Sequence, residues 1–168
     1  MASVLAGGIW NLQGSAITLG SGGGTGNVLL VNGGAVSNVL GGAVTIGSGG
    51  ALTTFGNSII VSNGGQWFGG AITVGGGGSY SNFYRFGGLG AASTGVNFSV
   101  TVGGNSSPTN FLVVTNATLI VTNGFTLGSG SSNNTVTVEA GGTLNLSNSL
   151  FTFGSGLATN NALIVNEG

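Results

Sequence analysis

Charged side chains are almost absent from this chain. Its 168 residues include one Lys or Arg, two Asp or Glu and no His, so 2% of the chain is charged and the net charge is −1. An ordinary soluble domain carries roughly 25% charged residues. The whole set is Arg85, Glu139 and Glu167. So neutral a surface does not attract phosphate backbones or anionic lipid, and we expect no nucleic-acid partner.

The residue types that build most catalytic and metal sites are also missing. The chain has no Cys, His, Asp or Lys. Disulfides, Cys-based metal sites and nucleophile–base pairs are therefore excluded. Glycoside hydrolysis needs two carboxylates, and Glu139 and Glu167 stand about one repeat apart, but they occupy offset positions in the repeat. We expect no catalytic residue, no metal site, no cofactor and no enzymatic activity.

Long apolar segments are lacking too. No run approaches the ~18 residues of a membrane helix, so we expect no membrane insertion. The opening MASVLAGGIW has no basic segment and is too broken by Gly for a signal peptide. Glycine is abundant at 38 residues, but it follows no collagen period, and there is a single Pro. The length suits one domain over residues 1–168.

A short motif recurs along the whole chain. AITLGSG at 16–22, AVTIGSG at 43–49 and AITVGGG at 71–77 share an apolar-Thr-apolar-Gly core, and three further copies follow. Successive copies stand 25 to 28 residues apart, which indicates a repeat architecture. If the apolar neighbours of each Thr point inward, strand alternation directs the Thr outward. The predicted outward Thr file, a column of equivalent side chains on successive coils, is Thr18, Thr45, Thr73, Thr101, Thr126 and Thr152.

A second series runs in phase with the first. An Asn stands directly before another apolar run in every repeat, as in NVLLV and NFLVV. Asn tolerates the positive φ angles that corners need, and stacked Asn side chains can pass amide hydrogen bonds from coil to coil. The predicted structural Asn ladder consists of Asn27, Asn57, Asn82, Asn110, Asn134 and Asn161.

A third, less regular apolar run completes the repeat, as in TLIVTN at 118–123. Residues 87–97, GGLGAASTGVN, depart most from the pattern and are interpreted as an enlarged loop. Each run is short, alternates with period two and has no helical stretch after it. Such a unit cannot bury its apolar side alone, whereas stacked copies can. We predict an all-β fold, a right-handed parallel β-helix (β-solenoid) of about six coils of about 27 residues, with three short strands per coil.

Two motifs carry a family resemblance. The Asn series resembles that of right-handed β-helices of the pectate-lyase type. VEAGGTLNLSN at 138–148 is similar to the Gly-rich β-strand repeats of autotransporter passenger domains and other large bacterial surface proteins. The resemblance implies an extracellular or bacterial cell-surface location and the β-helix architecture. It does not imply lyase activity, because the catalytic Asp, Lys and Arg clusters of the lyases are missing here.

The outward side of the second run is unusually apolar. The polar residues Thr135, Thr137 and Glu139 alternate with Val136 and Val138, which fixes the parity of this strand. A continuous apolar stripe on a surface commonly marks a partner. The alternatives are that loops fold over the stripe or that the parity slips in some coils. The candidate assembly face comprises Val28, Leu30, Ile60, Phe83, Phe111, Val113 and Ile164.

The two ends of the chain also favour assembly. It finishes on a second-run strand, ALIVNEG, and opens with IWNLQG at a third-run position, so a stacked copy would continue the spiral. No helix or charged strand caps the open edges. We therefore expect a self-assembling extracellular filament, sheath or matrix subunit whose partners are copies of itself, end to end and laterally. The alternatives are a segment of a surface adhesin or passenger stalk, and an ice-binding solenoid that uses the Ala/Thr/Gly face.

Overall fold

The structure, a computed structural model, describes residues 1–50 and 52–166. The described chain is all-β, and its strands stack in parallel as a solenoid of about six turns. Equivalent strands lie about 27 residues apart. The predicted β-solenoid is confirmed. Its strands form because Val, Ile, Thr and aromatic residues recur with period two, the pattern of a pleated surface with one buried side.

The strands are short at the two ends of the solenoid and longer in the middle. In chain order they are β1 (Ala2–Leu5), β2 (Ile9–Asn11), β3 (Ile17–Ser21), β4 (Val28–Asn32), β5 (Ala35–Ser37), β6 (Val44–Ser48), β7 (Ser58–Ser62), β8 (Gln66–Gly76), β9 (Phe83–Gly87), β10 (Ser93–Gly104), β11 (Phe111–Thr115), β12 (Ala117–Ser129), β13 (Thr135–Val138), β14 (Gly142–Asn145), β15 (Leu150–Ser155) and β16 (Ala162–Val165).

Two parallel sheets make up the wall of the solenoid. The second runs of the repeat form sheet A, seven strands in the order β1-β4-β7-β9-β11-β13-β16. The third runs and the Thr motifs form sheet B, nine strands whose main path is β14-β12-β10-β8-β5-β2. In sheet B, β3 pairs with β6, β6 also pairs with β8, and β15 pairs with β12. In each complete coil, one strand of sheet A is followed by the third run and the Thr motif, which both belong to sheet B.

The expectation of three short strands in every coil is wrong for the middle coils. There the third run and the Thr motif join into single strands of 11, 12 and 13 residues, namely β8, β10 and β12. The residues between the two runs stay extended and paired, with a register shift between Asn97 and Ser99 of β10. Such a bulge bends a strand without ending it, so the corner lies within a continuous strand.

The enlarged loop predicted at 87–97 is also shorter than expected. Gly87 ends β9, and residues 93–97 already belong to β10. They pair with β8 on one side and β12 on the other. Only residues 88–92 connect the two strands. The third repeat therefore contains all the strands of a coil, and each of them is paired with the coils above and below.

The core is a set of inward apolar files that run the length of the solenoid. Val44, Ile46, Val61 and Leu127, for example, are each at most 1% exposed. It includes an aromatic cluster in which Tyr84 meets Trp67 and Phe86 edge to face, with ring centroids 6.4 Å and 5.2 Å away. Edge-to-face contact adds to the burial of these large rings. The inward files therefore fill the interior from coil to coil.

Because of Tyr84, the stability of the folded chain should depend on pH in the alkaline range. Its ring is buried, and its hydroxyl accepts a hydrogen bond from Asn97 Nδ2 at 3.1 Å. Burial raises the pKa of the Tyr84 phenol well above its ordinary value of 10.0, and the Asn97 hydrogen bond lowers it by less. The unfolded chain therefore ionises near pH 10, while the folded chain keeps the proton.

We expect stability to be complete below about pH 10 and to fall above it by about 1.4 kcal/mol per pH unit, until the folded phenol also ionises. Urea unfolding at several pH values between about 8 and 12 measures this slope. Tyr84→Phe is the control, because it removes the ionisable hydroxyl and with it the slope. A slope that survives in Tyr84→Phe would show that another group causes it.

Candidate functional site

The predicted Asn ladder is present as a continuous chain of side-chain hydrogen bonds. In each coil the backbone N–H and the side-chain Nδ2 of the Asn both donate to Oδ1 of the Asn in the next coil, at 2.9–3.2 Å. Its inner members, Asn57, Asn82, Asn110 and Asn134, are 0% exposed. Buried amides are stable only when paired in this way, so the ladder fixes one corner of every coil.

The glycine of each of the first five Thr motifs provides the space that this ladder needs. Gly20, Gly47, Gly75, Gly103 and Gly128 all have φ between 72° and 80°. A Cβ added to any of them would overlap the side chain of the ladder Asn in the following coil. Glycine is therefore required at this position for both its backbone conformation and its lack of a side chain.

The Thr residues form a single straight file on sheet B. Thr18 pairs with Thr45, Thr45 with Thr73, and the register continues without a shift to the sixth member. Thr18 is exposed, and the other five are half-buried. Ala, Ser, Gly or Leu occupy the outward position two residues before each Thr. The outer face of sheet B beside this file is thus narrow and carries mostly small side chains. Its file is Thr18, Thr45, Thr73, Thr101, Thr126 and Thr152.

The candidate assembly face lies on the outer side of sheet A. All its members except Ile164 alternate with buried residues, and none of the members is itself buried. The rings of Phe83 and Phe111 stack on neighbouring strands, 4.7 Å apart with an interplanar angle of 12°. Ser58 separates Val28 from Phe83 in one file, and Thr135 follows Phe111. The face comprises Val28, Leu30, Ile60, Phe83, Phe111, Val113 and Ile164.

Arg85 stands at the centre of this apolar face. It lies on β9, the middle strand of sheet A, and pairs in register with Ile60 on one side and Val113 on the other. Its side chain is exposed. A lone cation among aliphatic and aromatic side chains leaves a charge that any partner of this face must accommodate.

Each end of the described solenoid exposes residues that belong to inward files. At the C-terminal end Phe153 is 50% exposed and Val165 is 68% exposed, whereas Leu127 and Val138, their partners one coil below, are buried. At the N-terminal end Trp10, Ile17 and Leu19 line an open concavity of about 480 Å³. The sequence predicted the open edges, but the concavity and the exposed aromatic rings are seen only in the structure.

The two ends do not match as the sequence analysis expected. Residues 2–5 precede the predicted third-run position of IWNLQG and form β1, which pairs with β4 in sheet A. Sheet A therefore has seven levels, while the third-run path of sheet B has six. Strand β16 stands one level above β14 and β15. If β1 of a stacked copy paired with β16, sheet B would therefore be one strand short at the junction.

The described residues contain no cluster of side chains that could hold a metal ion. No three His, Cys, Asp or Glu side chains cluster within residues 1–50 and 52–166. Glu139 is exposed directly after β13, and Glu167 lies outside the described residues. Across the part of the chain that the structure describes, no helix has the length and apolarity to cross a membrane. The chain matches no protein-family model, no curated protein and no solved structure.

Proposed function

We propose that this chain is a non-enzymatic structural subunit that assembles end to end with copies of itself through the open ends of its solenoid. The observation that carries the proposal is the exposure of inward apolar residues and unpaired strand edges at both ends. Such edges pair readily with another chain. The extracellular or cell-surface setting is part of the proposal and rests on the resemblance of the repeats to bacterial surface proteins.

The C-terminal end exposes apolar side chains that would belong to the core if another coil covered them. Phe151, Phe153, Leu163 and Val165 are 37–68% exposed, although each continues a buried file. Covering apolar area stabilises association by about 25 cal/mol per Å². In the described residues no charged side chain lies on β14, β15 or β16 to oppose this. The edge thus lacks the charges that prevent strand pairing in many monomers.

The N-terminal end offers a free strand edge and an exposed aromatic ring to this core. Strand β1 of a second copy can pair with β16, because both belong to sheet A. The gap then left on sheet B is one strand wide, about 5 Å beyond the usual spacing. Large side chains border it, Phe151 and Phe153 from below and Trp10 from above. We propose that these rings fill the gap, as aromatic residues fill irregular cores.

A pair of adjacent lysine substitutions tests this contact. In Phe153→Lys the new charge lies at an inward position of the open end, where a stacked copy would bury it without a partner. In Thr152→Lys the same charge lies on the outward file of the same strand. Because burying an unpaired charge costs several kcal/mol, we expect Phe153→Lys to raise the critical concentration for fibres at least about tenfold. We expect Thr152→Lys to leave that concentration nearly unchanged.

Electron microscopy and pelleting measure the outcome. The unmodified chain should form fibres whose yield changes little between about 50 and 500 mM NaCl, since few charges are present to screen. If the unmodified chain gives only isolated short rods, or if Phe153→Lys fibres keep the same axial repeat and yield, the stacking contact is not the one proposed.

A further inference from the structure

The outer face of sheet A is large enough to bind a second copy side by side. Seven strands about 4.8 Å apart and five residues of about 3.3 Å each give roughly 550 Å² for the face. Two such faces would bury about 1,100 Å², close to the ~1,000 Å² at which a biological interface becomes credible. The face therefore has the size of a contact between subunits, apart from any contact at the ends.

Arg85 decides how two such faces can meet. It is the single Lys or Arg of the chain and lies on the middle strand of the sheet. If two faces pack with their centres aligned, Arg85 lies against Arg85 of the partner subunit, whichever way the second solenoid points. Like charges forced together at an interface cost several kcal/mol, so the centred arrangements are excluded.

Glu139 lies where it can resolve this conflict. It continues the outward parity of Thr135 and Thr137, and its N–H donates to the Val114 carbonyl at 2.9 Å, so strand pairing extends to it. Strand β13 is two positions beyond β9 in sheet A. The opposite charges of Arg85 and Glu139 therefore lie on one face, separated by two strand spacings and displaced by two residues along the strand.

We propose that two copies pack face to face through sheet A with the strand order inverted about β11, so that Arg85 lies over Thr137 of the partner subunit and reaches Glu139 of the partner subunit, two residues further along the same strand. The two-fold axis runs parallel to the strands, and each charge pair therefore forms twice. Strand β11 faces its own copy, β9 faces β13, and β7 faces β16. The sheets stand about 10 Å apart, and the extended Arg and Glu side chains together span this gap and the offset.

The side chains of this arrangement complement one another. Phe111 and Val113 pack against the same residues of the partner, Ile60 meets Ile164 of the partner subunit, and the bulky Phe83 lies over the smaller Thr135 of the partner subunit. Five strands overlap, which corresponds to roughly 800 Å² over both copies. This area is typical of a weak contact, one that becomes effective when many copies are already aligned in a filament.

A charge-reversal cycle tests the proposal. Sedimentation velocity is measured in the Phe153→Lys background, where end stacking is blocked, so lateral pairing is followed separately. We expect Arg85→Glu and Glu139→Arg each to weaken dimerisation at least about tenfold. The double reversal should restore the dissociation constant to within about threefold of the parent, because the pair is formed again with exchanged signs. Dimerisation of the parent should weaken as salt is raised.

Thr101→Arg is the matched control, since it places a charge on the outer side of sheet B. It should leave the dimer unchanged. The proposal is overturned if the parent stays monomeric up to about 1 mM, the weakest range of specific association. It is also overturned if the double reversal fails to restore pairing, or if Thr101→Arg weakens pairing as strongly as Arg85→Glu. If end stacking does not occur, the same charge-reversal cycle is measured in the unmodified chain, where it still tests the lateral contact by itself.

Discussion

Gly103→Ala is expected to destabilise the folded chain by about 3–5 kcal/mol. Gly103 has φ of 76°, a conformation that costs an alanine about 1–2 kcal/mol. The new Cβ would also overlap the side chain of Asn134, which is 0% exposed and has no free space to enter. Displacing that amide weakens its hydrogen bonds to Asn110, and each buried group left unpaired costs about 1–3 kcal/mol.

The neighbouring Gly104 provides the matched control. It lies in the same strand, and the nearest atom to an added Cβ is the Gly75 carbonyl oxygen at 3.5 Å, an ordinary contact. Gly104→Ala should therefore change stability by less than about 1 kcal/mol. Urea unfolding followed by far-ultraviolet circular dichroism compares the two variants. Equal losses in both would mean that the loss reflects glycine in a strand generally and has no connection with the Asn ladder.

The stacking of equivalent residues could be predicted from the sequence because the repeat length is nearly constant. Spacings of 25 to 28 residues in the Thr series and 24 to 30 in the Asn series bring Thr45 above Thr18 and Asn57 above Asn27 without knowledge of any other contact. Alternation within each run then assigns one side to the core. These two regularities are sufficient to predict the solenoid, the Thr file and the outward face of sheet A.

The strand at residues 93–97 could not be predicted, because its inward side is not apolar. Gly95 pairs with Trp67 and Leu119. A Cβ on Gly95 would overlap the ring of Phe86, so the Phe86 ring fills the space that a side chain at position 95 would take. Asn97 is also inward and bonds to the Tyr84 hydroxyl. Glycine and polar residues in a core strand give a loop-like sequence, since the large aromatic rings come from another strand.

The ends of the solenoid were harder to predict for a related reason. Strand β1 has only four residues and its inward positions, Ala2 and Val4, pair with Leu29 and Val31. The preceding Asn that marks every later second run is absent before it. Without this marker the short run does not stand out, and the extra level of sheet A is apparent only from the strand pairing.

Asn110→Ala is expected to cost about 2–5 kcal/mol, the second large effect. Asn110 Oδ1 accepts from the backbone N–H and the Nδ2 of Asn82, at 3.1 Å and 3.0 Å. Its own Nδ2 donates to the carbonyl oxygens of Ser107 and Pro108, at 2.7 Å and 3.0 Å, and to Oδ1 of Asn134 at 3.2 Å. Alanine removes all five bonds. The N–H of Asn82 then has no acceptor in a fully buried position, and each such group costs about 1–3 kcal/mol.

The same substitution at the end of the ladder is the control. Asn27 is exposed, and its side chain donates to Asn57 and to the Thr25 carbonyl. In Asn27→Ala, Oδ1 of Asn57 still accepts a hydrogen bond from the backbone N–H of residue 27. The loss of folding stability should therefore stay below about 1 kcal/mol. Amide hydrogen exchange gives a second measurement, because the Asn82 N–H should lose its protection only in Asn110→Ala. If the two variants lose equal stability, burial of the ladder contributes nothing, and these Asn residues act only as turn residues at the corner.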